Sequence, residues 1–454
     1  MHRLCHSLYT AAVPAPAPVA GAGGTPLRRA VSRWQIVGLS LNDVVGSGVY
    51  LLPAAAAAYL GPASLWAVGL AGLAVFLLVL CFAEAASRFE EPGSAYLYAR
   101  TAFGRLVGFE VGWMTWLARV ASVASLSVGF AQALSHLVPG VQSGWARAAA
   151  VALPLLALTA INTVGVAAGA RTAVVLVVAK IVPLVLFVAV GLFHAAPEIA
   201  RAQPATREGG LTAAALLLLF AYAGFENTAA PAGEYRDPRR DVPFALVVQI
   251  GTVTLLYLGV QWVALGTLPG LAASETALAD AARGFLGPWG GWLLTIGALL
   301  SILGTNSNTV LAGPRYLFAL ARDGFGPPPA ARLLARVHPR FRTPSAAILF
   351  QTAVALPLAL SGTFVGLAAL SVVARLTTYL GTAAAVPVLR RKLPAAPGAF
   401  RLPGGPAIPV AAAALSLLLA ASATARSLVA AAIALGVGLV LYLVSGPPPA
   451  ADEE

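Results

Sequence analysis

The chain has 454 residues, a net charge of +12, 59% hydrophobic and 10% charged residues, and a mean hydropathy of +0.83, which excludes an ordinary soluble globular protein and points to a polytopic membrane protein. Its basic residues lie between apolar runs rather than on one face, so the charge marks orientation in a bilayer and no nucleic acid is expected. Cys5 and Cys81 cannot form a thiolate centre and the five histidines are scattered, so neither metal nor cofactor is expected, and no His-based catalytic constellation is present.

Residues 1–32 are rich in Pro, Ala and Gly and are expected to be a disordered cytoplasmic tail. About a dozen apolar runs of spanning length follow. They lie near 34–60, 63–87, 104–137, 146–166, 171–194, 211–231, 243–267, 289–322, 345–361, 364–389, 406–424 and 427–445. Alternate connections carry most of the arginine, which predicts an even number of spans with both termini cytoplasmic. Residues 33–392 are read as a ten-helix core, 393–445 as two further helices and 446–454 as a tail.

The first run is interrupted by Leu41-Asn-Asp-Val-Val-Gly-Ser-Gly-Val-Tyr50. In hydrocarbon such a stretch must face protein, a cavity or a ligand, because its backbone groups have no water to bond. Gly46 and Gly48 could equally let a neighbouring helix approach closely. Pro53 then falls early in the resumed helix. Tyr96 to Phe103, after the second run, is too polar to span and predicts a short interfacial helix. The third run holds Thr115, Arg119 and Ser122 on one face. An arginine at mid-run calls for a partner or a water-filled cavity.

The chain uses Arg 27 times and Lys only twice, yet the charge inside the fifth run is Lys180. A desolvated lysine can lose its proton whereas an arginine in a protein does not, so Lys180 is a candidate for coupling transport to an ion. Its alternative use is as a structural cation on carbonyls. The sixth run breaks at Ala221-Tyr-Ala-Gly-Phe-Glu-Asn227, with Pro231 beyond. Two broken helices five spans apart are the pattern of two five-helix halves related by an inverted repeat, with a site between the breaks. In the eighth run Ser301, Thr305 and Asn308 share a face, and in the tenth so do Arg375, Thr378, Tyr379 and Thr382. Asp43, Arg119, Glu226, Asn308 and Arg375 are therefore candidates to line a pathway. The last two runs are almost free of polar side chains and are expected to face lipid or pack subunits.

Gly46-Ser-Gly-Val-Tyr50, Phe220-Ala-Tyr-Ala-Gly-Phe-Glu226, Glu234 to Pro243 and Pro314-Arg-Tyr-Leu-Phe-Ala-Leu-Ala-Arg-Asp-Gly324 resemble the signature stretches of amino acid permeases of the amino acid/polyamine/organocation superfamily. The likeness runs over residues 33 to 445. It implies an all-α fold of two inverted five-helix repeats plus two helices, working by alternating access on a small amino acid in a lipid bilayer. By that resemblance the segment Val45, Gly46, Ser47, Gly48 and Val49 would bind the substrate carboxylate. Phe220, Ala221, Ala223 and Gly224 would take the amino group on carbonyls, and Phe225 would be a gate or side-chain contact. Lys180 is similar to a lysine that stands in some relatives where others bind sodium, which implies protons as the coupling ion. Small apolar residues near the breaks favour neutral or broad-range amino acids. Glu226, if it points into the cavity, would favour cationic amino acids or polyamines instead.

Overall fold

The computed structural model describes residues 31–90, 93–135, 137–164, 170–230, 232, 235–341, 343–393 and 399–445, with the side chains of 170–176 also excepted. Both expected tails fall outside this set apart from Val31 and Ser32, as do Pro231 and Glu234. The described residues form an all-α protein. The first apolar run gives α1 (Arg33–Val44) and α2 (Ser47–Leu60), and the second gives α3 (Ser64–Ala86). The interfacial helix is α4 (Ser94–Phe103), followed by α5 (Arg105–Leu134), α6 (Gly144–Val164) and α7 (Ala170–Gly191). The second half adds a short α8 (Pro197–Arg201), α9 (Gly210–Tyr222), α10 (Pro238–Thr267) and α11 (Ala277–Arg322). A short α12 (Pro328–Leu334) leads to α13 (Ser345–Ser361), α14 (Phe364–Lys392), α15 (Ala407–Ala421) and α16 (Ala425–Leu443).

Eight stretches among the described residues are long and apolar enough to cross a bilayer, and three shorter apolar helices accompany them. Taking α1 with α2 as one broken segment, the apolar helices follow all twelve runs of the sequence. One boundary differs. The eighth run was expected to begin near 289, but helix extends back to Ala277, with a kink where Gly287 takes φ +67° and Pro288 follows. Glycine tolerates that angle and proline starts the next helical stretch without needing an N–H, so the chain turns a corner before spanning. Trp66, Trp145 and Trp289 stand exposed near the helix starts on the face opposite the arginine-rich connections, where amphipathic rings anchor at a membrane boundary.

The two five-segment halves interlock segment by segment. α2 packs on α9, α3 on α10, α5 on α11 and α6 on α13, so a member of one half meets its counterpart in the other. The broken segment comes first in each half, which brings both breaks to the same place. α5 is the central pillar, lying along both α14 and α11. α15 rests against α14 and α3, and α16 against α5 and α14, outside this core. α16 is exposed along most of its length, with only Gly438 buried.

Local chemistry explains the turns that hold this arrangement. Thr363 accepts a hydrogen bond from the Gly366 amide at 3.2 Å and starts α14 directly after α13. Thr424 does the same for Ser427 at 3.2 Å and starts α16. Each hydroxyl satisfies one of the orphan amides of a helix start. Pro154, Pro183, Pro243, Pro314, Pro357 and Pro387 sit inside long helices, as membrane helices tolerate when neighbours satisfy the freed carbonyls.

Candidate functional site

The backbone stops being helical at two points. Val45 and Gly46 are non-helical between α1 and α2, and Ala223 and Gly224 are non-helical after α9. Gly224 has φ +126°, a region that side-chain-bearing residues avoid. Only a 3₁₀ turn, Phe225–Asn227, and irregular turns follow it, so the sixth segment resumes far less regularly than the first. The breaks touch. A Cβ on Gly48 would lie 2.5 Å from Ala221 Cα, and one on Gly224 would lie 2.8 Å from the Asp43 carbonyl oxygen. Unwinding and close packing are therefore the same feature here: the small residues bring the two interruptions into contact.

Tyr257 of α10 ties the breaks together. Its hydroxyl stands 3.0 Å from the Ala221 carbonyl and 3.3 Å from the Val44 carbonyl. The polar face of α11 lies against the first break. Ser301 donates to the Val45 carbonyl at 2.9 Å, Thr305 stands 3.3 Å from the carbonyls of Asn42 and Val45, and Asn308 donates to Asp43 at 2.7 Å. Asp43 is thus held by Asn308 rather than capping its own helix.

Lys180 is fully buried on α7, and its ammonium donates to the Asn42 carbonyl at 2.9 Å and to Thr305 Oγ1 at 3.0 Å. Asn42 lies in the last turn of α1, where unpaired carbonyls and the negative end of the helix dipole favour a cation. Tyr50 donates to the Lys180 carbonyl at 3.2 Å, so the lysine backbone is fixed to the other side of the same break.

Between the breaks lies a cavity lined by Gly46, Ser47, Gly48, Phe220, Ala223 and Gly224 from the broken segments. Asp43, Arg119, Asn227, Thr305 and Arg375 contribute its polar wall. Ser47 Oγ is buried with no hydrogen-bond partner among the described residues. The first amides of α2 belong to the same wall, and a helix start offers N–H groups and a positive dipole end to an anion. The void measures about 30 Å³, space for roughly two or three waters at ~10–15 Å³ each. An amino acid therefore fits only when the lining side chains part.

The polar faces read from the third and tenth runs turn out to meet each other. Thr115 and Thr378 hydroxyls pair at 2.8 Å, Ser122 and Ser371 at 2.7 Å, and Arg375 Nη2 donates to Ser122 at 2.6 Å. Arg119 donates to Glu226 Oε1 at 2.9 Å and to Asn227 Oδ1 at 2.5 Å. Glu226 Oε2 also accepts from the Gly224 amide at 3.0 Å and from Tyr379 at 3.4 Å, while Arg375 Nη1 stands 3.4 Å from Oε1.

Several expected site residues stand elsewhere than expected. Glu226 is turned into the arginine cluster and is not part of the cavity wall, so the condition for a cationic substrate through Glu226 is not met. Phe225 lies behind the wall, stacked on Tyr379 with ring centres 5.2 Å apart and edge-on to Phe82 at 5.3 Å, because the turn after Gly224 points it toward α3 and α14. Phe220 is the aromatic residue on the cavity. Val45, Val49 and Ala221 also sit behind the lining, and the Val45 and Ala221 carbonyls already accept hydroxyl hydrogen bonds. Asn308 reaches the site through Asp43. Tyr257 was not singled out in the sequence, and Asn227 was read there only as part of the interruption of the sixth run. A signal for Tyr257 existed: Gln249, Val253, Tyr257 and Gln261 recur every four residues on a buried face of α10.

The amino acid permease family model matches residues 31–451. The chain belongs to the amino acid permease family. Among curated relatives, this permease is 30% identical to the serine/threonine exchanger SteT of Bacillus subtilis (strain 168), over 83% of its own length and 86% of the relative's. It is 27% identical to the branched-chain amino acid permease BcaP of the same organism, over 94% of both chains. It is 28% identical to the methylthioribose transporter of that strain, over 86% of this chain and 87% of the relative. Membership makes the permease a transporter rather than an enzyme and gives it a multi-pass membrane setting. The three relatives are named for different substrates.

Proposed function

We propose that this permease takes up neutral or broad-range amino acids across the cell membrane by proton-coupled alternating access, with both termini cytoplasmic. The observation that carries the reading is the meeting of the two breaks around one cavity. The start of α2 and the unpartnered Ser47 hydroxyl suit the substrate carboxylate, and the carbonyls released where α9 ends suit its ammonium. Both ends of a zwitterion are then bound by groups that exist only because the helices are interrupted. Rocking of the halves about this point would open the cavity to either side in turn.

Lys180 supports coupling to protons. Its ammonium occupies the carbonyl end of α1, a position in which broken-helix transporters coordinate a coupling cation. Losing the proton removes the charge that holds Asn42 and Thr305 together, which would loosen α7 from the first break. Regaining it would restore the contact.

The test is uptake of labelled amino acids into proteoliposomes under imposed gradients. An inward proton gradient is expected to drive accumulation several-fold, sodium is not, and Lys180→Ala is expected to abolish the response to the gradient. Accumulation driven by sodium and indifferent to pH would overturn the coupling. Binding without any uptake would overturn transport itself and point to a sensor built on the same fold.

A further inference from the structure

Five ionisable side chains stand in or directly behind the cavity wall: Asp43, Arg119 and Arg375 line it, Glu226 pairs with the two arginines behind it, and Lys180 stands behind it on Thr305. With all five charged, the group carries one positive charge in excess. The excess falls on Arg375. Lys180 is seated on the Asn42 carbonyl and Thr305, Asp43 accepts from Asn308, and Glu226 binds Arg119 at 2.9 Å.

Arg375 is 5% exposed and lines the cavity, yet it is the least satisfied of these groups. Its Nη2 donates to Ser122, but neither Nε nor Nη1 has a hydrogen-bond partner among the described residues, and Nη1 reaches only to 3.4 Å of Glu226. Arg119 Nε is likewise buried and unpartnered. A guanidinium offers five N–H donors in a fixed fork that matches a carboxylate in two parallel bonds. Buried donors of this kind normally have partners, and where they do not, the place calls for an explanation.

We infer that the Arg119, Ser122 and Arg375 wall is a subsite for an anionic side chain, so that within its range this permease binds acidic amino acids, those with a second carboxylate, in preference to cationic and aliphatic ones. This rests on the proposed reading of the breaks as the zwitterion site. The α-carboxylate takes the start of α2 and the α-ammonium the carbonyls after α9, which leaves the side chain to extend along α5 and α14 toward Arg375. There a second carboxylate supplies both the missing acceptor and the missing negative charge. A cationic side chain would instead face two guanidinium groups, and an aliphatic one would leave their donors unpaired, so both bind more weakly than an acidic one.

The experiment compares L-glutamate, L-aspartate, L-alanine, L-leucine and L-arginine as stabilising ligands of the purified full chain and as competitors for uptake in proteoliposomes. Glutamate or aspartate is expected to bind at least about tenfold more tightly than leucine or arginine. Arg375→Gln is expected to lower the ratio of glutamate to alanine affinity by about thirtyfold, with Arg375→Lys falling between it and the native protein. Wild-type protein that binds alanine or leucine as well as glutamate overturns the inference, and it does so even if no variant folds. Variants that lower every affinity alike also overturn it, and mark Arg375 as a partner of Glu226 only. If none of the five ligands binds, the zwitterion site itself is refuted, a result distinct from the failure of acidic preference.

Discussion

Two buried clusters in this permease share a composition of one glutamate and two arginines, and they are finished to different degrees. Near the arginine-rich face, Glu84 of α3 binds Arg390 of α14 through two parallel bonds of 2.7 Å each. It also accepts from Arg88 at 3.0 Å and from the Leu402 amide at 3.0 Å. The spare nitrogens continue outward, Arg88 to the Leu393 carbonyl at 2.8 Å and Arg390 to the Gly405 carbonyl at 2.5 Å, and Arg88 Nε is buried without a partner among the described residues. Between the breaks, Glu226 takes one short bond from Arg119, while Arg375 makes only a 3.4 Å ionic contact with it, and two of the Arg375 nitrogens have no hydrogen-bond partner among the described residues. The first cluster ties α3, α14 and the connection to α15 into one unit. The second borders a cavity and keeps donors in reserve. A nearly saturated network fixes a structure, whereas an unsaturated one beside a cavity leaves something for a ligand to complete.

The contrast can be broken most forcefully at Glu84. Glu84→Gln leaves two arginines buried without their carboxylate and is expected to destabilise the protein by about 3–5 kcal/mol, read as a large drop in melting temperature and loss of monodisperse protein. Glu226→Gln should cost less stability, about 1–3 kcal/mol, because fewer and longer contacts are lost, but should reduce uptake by about tenfold or more. If the two substitutions lower the melting temperature equally while Glu226→Gln leaves uptake intact, the distinction between a lock and a site is wrong. Tyr379→Phe sharpens it at the small end. Its hydroxyl lies 3.4 Å from Glu226, a long contact, so the change is expected to cost about 0.5 kcal/mol and to alter uptake less than twofold.

The sequence carried the architecture because membrane helices announce themselves by length and apolarity. The breaks were legible for the complementary reason: Gly46, Ser47 and Gly48, or Gly224, Glu226 and Asn227, are residues that hydrocarbon does not accept without a purpose. The polar faces of α5, α11 and α14 could also be read from helical spacing. What spacing could not supply was who faces whom. Arg119 and Arg375 lie 256 positions apart, and only the packing of α5 along α14 makes Glu226 their common neighbour. Phe225 and Phe220 look interchangeable in the sequence, yet the left-handed turn at Gly224 sends one into an aromatic cluster and leaves the other on the cavity. The helix from Ala277 to the Gly287 corner escaped notice because Asp280 and Arg283 make it too polar to resemble a span.

The contact of Tyr257 with both breaks has a further implication. A phenol owns a single hydroxyl hydrogen, so it can serve the carbonyl of Ala221 or that of Val44, but not both fully at once. At 3.0 Å and 3.3 Å the two acceptors compete on nearly equal terms, and a relative slide of a few tenths of an ångström is enough to exchange their ranks. The junction of the two breaks thus holds one donor between two acceptors, and under the proposed rocking of the halves the loss at one arm would be offset by the gain at the other.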